Sequence, residues 1–460
     1  MKENGPFQIA ATLAAIILWT FIIFCAALWT SQTDTFQRVL KDFDSGVAQA
    51  ELLPYAKDSF DKQLTVWKDI PNALQGGALL IGSQFHLNPA LMLVDGDGKI
   101  LHSWDLEKQL FNRDILSWWK EPLSLDVFAV DDAHLLPDGD VIFTQDLRDL
   151  QNFRGQRLAR MDWNSHILWQ ATGAFHHEFD IGGSPRKIYA MLSEMRAELP
   201  FIGPKLKNVH YLDDVICAYS LQGKKLDSWP ISEAFVNSSY RNLYASFEID
   251  LPDIQRIKSP DGKQVLYDPV HLNSVQYLDA VHAKAIPLAQ EGDLLISLRG
   301  INTLAVLRPS SRKIIWASTG PWRHQHYARV GDDGKLYVYD NEGAGVHFTE
   351  TANRELKEEL QSRVLRYDPL NANWDEIYSS PRLHSYWRGY YYALSGGYTI
   401  ISSPQQSRVI VVTRDKKVVW ELRGVPDRDM QVVPYQKQIS TVRYYPPDAL
   451  AFLKQQGNKP

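Results

Sequence analysis

Six times between residues 91 and 420 the chain runs an aliphatic or β-branched stretch into a polar turn and back to an aromatic residue. The copies are LMLVDGDGKILHSW ending at Trp104, RLARMDWNSHILW at Trp169, VICAYSLQGKKLDSW at Trp229 and TLAVLRPSSRKIIW at Trp316. A degraded copy, VLRYDPLNANWDEIY, ends at Tyr378, and VIVVTRDKKVVW ends at Trp420. Each reads as two alternating strands around a tight turn, which is the pattern of a β-hairpin. Most are preceded by a second recurring piece, as in DDAHLLPDGDVIFT (131–144), HYARVGDDGKLYVYD (326–340) and RGYYYALSGGYTIIS (388–402). Two strands plus a hairpin make a four-stranded sheet that cannot satisfy its own edges, and a closed ring of such sheets is the stable solution. Six copies therefore predict an all-β chain, a six-bladed β-propeller over 76–460. The spacing of closing aromatics ranges from 42 residues (Tyr378 to Trp420) to 87 (Trp229 to Trp316), so WD40 regularity is absent. A β-sandwich with added elements competes, but it does not repeat a hairpin and closing aromatic six times.

Ahead of the repeats, Phe7 to Trp29 is a 23-residue apolar run. As a helix rising about 1.5 Å per residue it can cross a hydrocarbon core of roughly 30 Å. Residues 1–30 are thus expected to be a transmembrane anchor, with signal-peptide cleavage near Ala26-Ala27 as the alternative. Phe36, Val39, Leu40, Phe43 and Val47 follow at helical spacing, so 31–75 reads as a helical stalk or linker, and a place where two copies could pair as a homodimer. The expected location is an inner (cell) membrane, single-pass, with the propeller facing the periplasm or cell exterior.

Charge and cysteine content remove several functions. With 49 Lys+Arg against 54 Asp+Glu the net charge is −5, which gives no basic face for a nucleic-acid partner. Two cysteines, Cys25 and Cys217, allow neither a disulfide framework nor a cysteine-built zinc site.

In a propeller the residues just before each innermost strand converge on the central channel. Counting back eight residues from Gly334 gives His326, from Gly139 gives Asp131, and from Gly397 gives Gly389, beside Arg388. Two other blades begin at His271 in PVHLNS and His177 in FHHEFD, so three of five positions are histidine in a chain that has 13. Each has a plain alternative: a solvated turn for His176-His177, a strand cap for His271 and Asn273, a structural hydrogen bond for His326, a buried ion pair for Arg299. Together they suggest an anion pocket, although a ring of histidines also suits a metal. Trp322, Tyr327, Trp387 and Tyr390 are candidates to sandwich an aromatic substrate, with packing as their other reading.

The stretch DPVHLNSVQYLD, then GDLLISLRGINTLAVL, then IIWASTG…HQHYARVGDDGKLYVYDNEG, then SRVLRYDP resembles the bacterial arylsulfotransferase family. The resemblance covers about 263–425 strongly and extends back to about 130 through DDAHLLPDGD and HHEFD. Its ordered motifs are H-x-N, SLR, QH and DN. It implies a six-bladed propeller that transfers sulfuryl groups from an aryl sulfate to a phenol without a nucleotide donor or any cofactor. It further implies that His326 is the nucleophile, forming a sulfohistidine, and that His177, His271, Asn273 and Arg299 hold the sulfate oxygens. His177 and His271 are both candidates to assist the leaving phenolate. His176, Arg388 and Asp131 are the remaining candidates for substrate contact, and no metal is implied. This sequence departs from the family in placing Tyr327 after the QH pair and in carrying no second cysteine beyond the anchor. The competing readings are a non-catalytic membrane-anchored propeller that binds ligands or scaffolds partners, and a metal-dependent hydrolase, which needs channel carboxylates that only Asp131 and Glu178 offer.

Overall fold

The computed structural model describes residues 64–83, 90–106, 128–147, 157–196, 209–244, 246, 264–266, 270–341, 361–385, 387–424 and 439–456. They form six sheets, the six blades of a β-propeller, antiparallel throughout except where Gln264–Leu266 adds in parallel to Val209–Ser220 in blade 3. Blade 1 combines Ile439–Tyr445 with Ala78–Ser83, Ala90–Asp95 and Ile100–Asp105, so the last described strand closes the ring against one from the start of the propeller. Blade 2 spans Phe128–Leu135 to Ile167–Thr172, blade 3 Asp180–Gly182 to Lys225–Pro230, and blade 4 Leu272–Tyr277 to Lys313–Thr319. Blade 5 spans His326–Val330 to Asn373–Ser379, and blade 6 Tyr390–Ala393 to Val418–Arg423.

All six closing aromatics fall in the fourth strand of their blade counted from the channel, which is the outermost strand in every blade but the sixth. Two show why a hairpin here ends in tryptophan. Trp169 of blade 2 donates its indole N–H to Leu221 O, 2.9 Å away in the hairpin turn of blade 3. Trp420 of blade 6 does the same to Gly96 O in the hairpin turn of blade 1, at 2.8 Å. Each ring buries apolar area while its polar edge ties one blade to the next. Gly223 must be glycine for this packing: its φ is +81°, and a Cβ there would sit 2.5 Å from the Trp169 ring.

Strand burial follows position in the blade. Ala78–Ser83 and Leu294–Leu298 are buried on both faces, because neighbouring blades cover both sides. Ile167–Thr172, at an outer edge, alternates half-buried and exposed residues. The core therefore lies between blades, for example where Leu80, Leu93, Phe143 and Ala159 pack together across blades 1 and 2.

The boundary expected at 76 moves toward the N-terminus. Thr65–Lys68, assigned from sequence to the stalk or linker, pairs with Val418–Arg423 as a fifth strand on the outer edge of blade 6. The expected anchor and the helical pattern at Phe36–Val47 lie outside the described residues. Among the described residues no helix is long and apolar enough to cross a membrane. The segment AVHAKAIPLA (280–289), between the first two strands of blade 4, forms a short 3-10 turn, His282–Ala285, and buries Ala283, Ala285 and Ile286 in the core.

Candidate active site

The innermost strands are irregular where the candidate residues lie. Asp131 is skipped in the pairing of blade 2, Asn273 in that of blade 4, and the register slips between His326 and Arg329 in blade 5. Such bulges re-aim side chains that a regular ladder would bury between sheets. The backbone is also left-handed at His177 (φ 53°), His271 (50°), Tyr327 (48°) and Arg388 (59°). Non-glycine residues held there cost of order 1–3 kcal/mol each and gather where function requires the geometry.

The three histidines meet. The ring centroids of His177 and His271 are 5.0 Å apart, those of His177 and His326 5.9 Å, and those of His271 and His326 6.4 Å. One nitrogen from each lies within 4.8 Å of the others. His326 is fully buried, and its Nδ1 lies 2.7 Å from Asn341 Oδ1 and 3.1 Å from His324 O. Its Nε2 is buried with no hydrogen-bond partner among the described residues. Burial holds the His326 imidazole well below the ordinary histidine range, reinforced by the positive charge of Arg299 and opposed by the hydrogen bond to Asn341 Oδ1. It is therefore neutral at pH 7.

Arg299 opens the short turn Arg299–Ile301 at the end of the second strand of blade 4, and its backbone N–H donates to His271 O at 2.9 Å. Asn273 is buried and donates from Nδ2 to Gln325 O (2.7 Å), which leaves its Oδ1 buried without a partner. Gln325 is itself anchored, its Nε2 donating to Ser297 Oγ at 3.1 Å.

The remaining candidates brace this group. His176 lies between His177 Nδ1 (2.9 Å) and Asp214 Oδ1 (3.2 Å), behind the site, and Asp214 Oδ2 accepts the Leu272 N–H beside His271. Arg388 and Asp131, expected to contact substrate, form a buried ion pair with each other. Asp131 also accepts the His177 backbone N–H at 3.2 Å, and Asn341 Nδ2 donates to Arg388 O at 2.7 Å. Links thus run from His326 through Asn341, Arg388 and Asp131 to His177, and on through His176 and Asp214 to the start of blade 4. Pairing across such distances in the chain is invisible to a motif. Asn341 belongs to the DN pair but was given no role from the sequence, since nothing local marks what an asparagine bonds.

The other channel carboxylates are likewise matched to cations. Glu178 lies 3.3 Å from Arg329, and Asp132 Oδ2 accepts from Arg443 at 2.7 Å. Burial pushes the Glu178 carboxyl up to about 8 against the pull of Arg329. Of the four aromatics proposed for a substrate sandwich, Trp322 is core, with its N–H on Asn302 O (3.0 Å). Tyr327 and Tyr390 are buried edge to face at 5.1 Å, and Trp387 is half-buried.

A family model for arylsulfotransferase (ASST) matches residues 132–424, well over half of the 460. The chain belongs to the arylsulfotransferase family. The matched span begins in the innermost strand of blade 2 and ends just past blade 6, so it contains every candidate site residue except Asp131. No curated protein matches the chain significantly. Solved structures similar in fold include a protein of unknown function from Bacteroides caccae (11% identity, 75% of this chain and 93% of that one, TM-score 0.40). Another is virginiamycin B lyase from Staphylococcus aureus (11% identity, 77% and 87%, TM-score 0.38). Likenesses this weak say nothing about chemistry.

Proposed function

We propose that this chain moves a sulfuryl group from an aryl sulfate to a phenolic acceptor through a sulfohistidine on His326. The observation that carries the reading is the buried, partnerless Nε2 of a neutral imidazole beside Arg299. Sulfuryl transfer, like phosphoryl transfer, has a loose in-line transition state with charge on the equatorial oxygens, so catalysis is positioning plus electrostatic stabilisation. In the first half-reaction the Nε2 lone pair forms a bond to sulfur, and the S–O bond breaks with its electron pair leaving on the aryl oxygen. His177 or His271, protonated, gives its proton to the leaving phenolate and is left neutral, and Arg299 holds the sulfate oxygens. In the second half-reaction the acceptor oxygen attacks sulfur, gives up its proton to the same histidine, and the electron pair of the N–S bond returns to Nε2. We further propose that Phe7–Trp29 anchors the propeller on the periplasmic or outer side of a membrane, a reading supported by that 23-residue apolar run.

The nitrogen spacing of His177, His271 and His326 also suits a transition metal. Against it stands Arg299, whose charge acts on His326 and favours an anion over a second cation. Metal analysis of the purified protein and zinc titration separate the two.

The test is to incubate the full-length protein in detergent with 4-nitrophenyl sulfate, with and without phenol, beside His326→Ala. Nitrophenolate release that rises with phenol and vanishes in the variant supports transfer through this histidine. Release untouched by the substitution removes the assignment. A well-folded protein that releases nothing favours a non-catalytic propeller or a narrower donor range.

A further inference from the structure

The side of His326 away from its reactive nitrogen carries the strongest additional information. An asparagine side chain offers one oxygen that only accepts and one nitrogen that only donates. Asn341 Nδ2 lies 2.7 Å from Ser385 O and 2.7 Å from Arg388 O, two carbonyls that can only accept. The amide orientation is therefore fixed, and Oδ1 is the atom that faces His326 Nδ1 at 2.7 Å. The second group near Nδ1, His324 O at 3.1 Å, is again an acceptor. A neutral imidazole has a single N–H, and two acceptors demand it at Nδ1.

We propose that Asn341 is a positioning residue that holds His326 in its Nδ1–H tautomer and so presents the Nε2 lone pair to the sulfur atom. This rests on the sulfuryl-transfer reading above. A free imidazole in water prefers the opposite tautomer, with its proton on Nε2, which could not attack. The assignment also balances the first step. When Nε2 bonds to sulfur and the aryl oxygen leaves with the S–O electron pair, Nδ1 keeps its proton. The ring's positive charge then faces the Asn341 oxygen. The geometry is built in: Asn341 follows the strand Leu336–Asp340, and Asp340 beside it accepts from Arg363 Nε (2.7 Å) and from the Arg323 backbone N–H (2.8 Å). The charged and titratable groups that bear on His326 are Arg299 of blade 4, Arg388 of blade 6, and the rings of His271 and His177.

The test uses full-length protein labelled with ¹⁵N-histidine, with the His326 resonances assigned by their loss in His326→Ala. A protonated Nδ1 and an unprotonated Nε2 are expected, and the reverse pattern overturns the proposal whether or not the protein turns over a given donor. In kinetics, Asn341→Ala should lower kcat about 10²-fold with KM little changed, the loss that misplacing a reacting group by about 1 Å brings. Asn341→Asp keeps an acceptor for the Nδ1 proton but adds a negative charge that favours imidazolium. The acid limb of kcat/KM then moves to higher pH, whereas Asn341→Ala leaves it in place or moves it lower. A merely structural role predicts no such opposed shifts. If Asn341→Ala keeps full kcat while His326→Ala is inactive, the positioning role falls and the transfer reading stands. If His326→Ala is active, both fall.

Discussion

The two sides of the channel mouth use the same position in the blade repeat and treat it in opposite ways. On the side of blades 4 and 5, His326 Nε2, Asn273 Oδ1 and Gln325 Oε1 are buried without hydrogen-bond partners among the described residues. An orphaned buried polar atom costs about 1–3 kcal/mol, so this side carries a cost that the polar atoms of a bound ligand would offset. On the side of blades 6 and 2, Arg388 and Asp131 stand at equivalent lead-ins to the innermost strand, but neutralise each other and secure Asn341 and His177. Position in the repeat gathers residues at the mouth. Whether a residue meets substrate or holds the frame depends on what the next blade places beside it.

That contrast can be broken most directly at His326. Its replacement by alanine should reduce phenol-stimulated nitrophenolate release to the uncatalysed rate, with an unfolding midpoint near wild type. Arg388→Ala should act through stability instead. It strands Asp131 as a buried unpaired charge, a loss of about 3–5 kcal/mol in urea unfolding. Arg388→Met combined with Asp131→Leu should recover much of it, since an apolar pair replaces a buried ion pair at little cost.

Arg299→Ala sharpens the comparison from the other side. Removing one preorganised donor to developing oxyanion charge costs about 10²–10³-fold in kcat. The pH profile provides a separate mark. Burial and the Arg299 charge both disfavour imidazolium, so His326 stays neutral to lower pH than a free histidine, and the acid limb of kcat/KM that it sets should lie below about 6.5. Losing the arginine charge raises the His326 pKa and brings the acid limb back toward that value. The smallest effect is expected far from the mouth: Trp420→Phe deletes the indole bond to Gly96 O and should cost about 1 kcal/mol with unchanged turnover.

The blades were readable because a hairpin is local. A turn and a closing aromatic within a stretch of 12 to 15 residues suffice to declare one, and Trp104, Trp169, Trp229, Trp316, Tyr378 and Trp420 all lie in the fourth strand of a blade. The convergence of His177, His271 and His326 was readable for a related reason: the repeat fixes where each blade begins. What the repeat does not encode is pairing between blades. Arg388 and Asp131 are 257 residues apart, and Asn341 reaches 44 and 47 residues ahead to Ser385 and Arg388. Thr65–Lys68 escaped notice too, because an exposed four-residue edge strand has no apolar periodicity to report it.

The composite first blade has a consequence for the chain as it is made. Ala78–Ser83 finds its inner neighbour only when Ile439–Tyr445 exists, about 360 residues later. At about 5–20 residues per second of synthesis, that is on the order of 20–70 s during which the ring is an open arc with an unpaired strand at its leading edge. A nascent chain is therefore an adhesive intermediate throughout its synthesis. A chain that stops before Ile439 has five whole blades and a first blade without its innermost strand. Quality control can then sense completeness through a single late event, the arrival of Ile439–Tyr445.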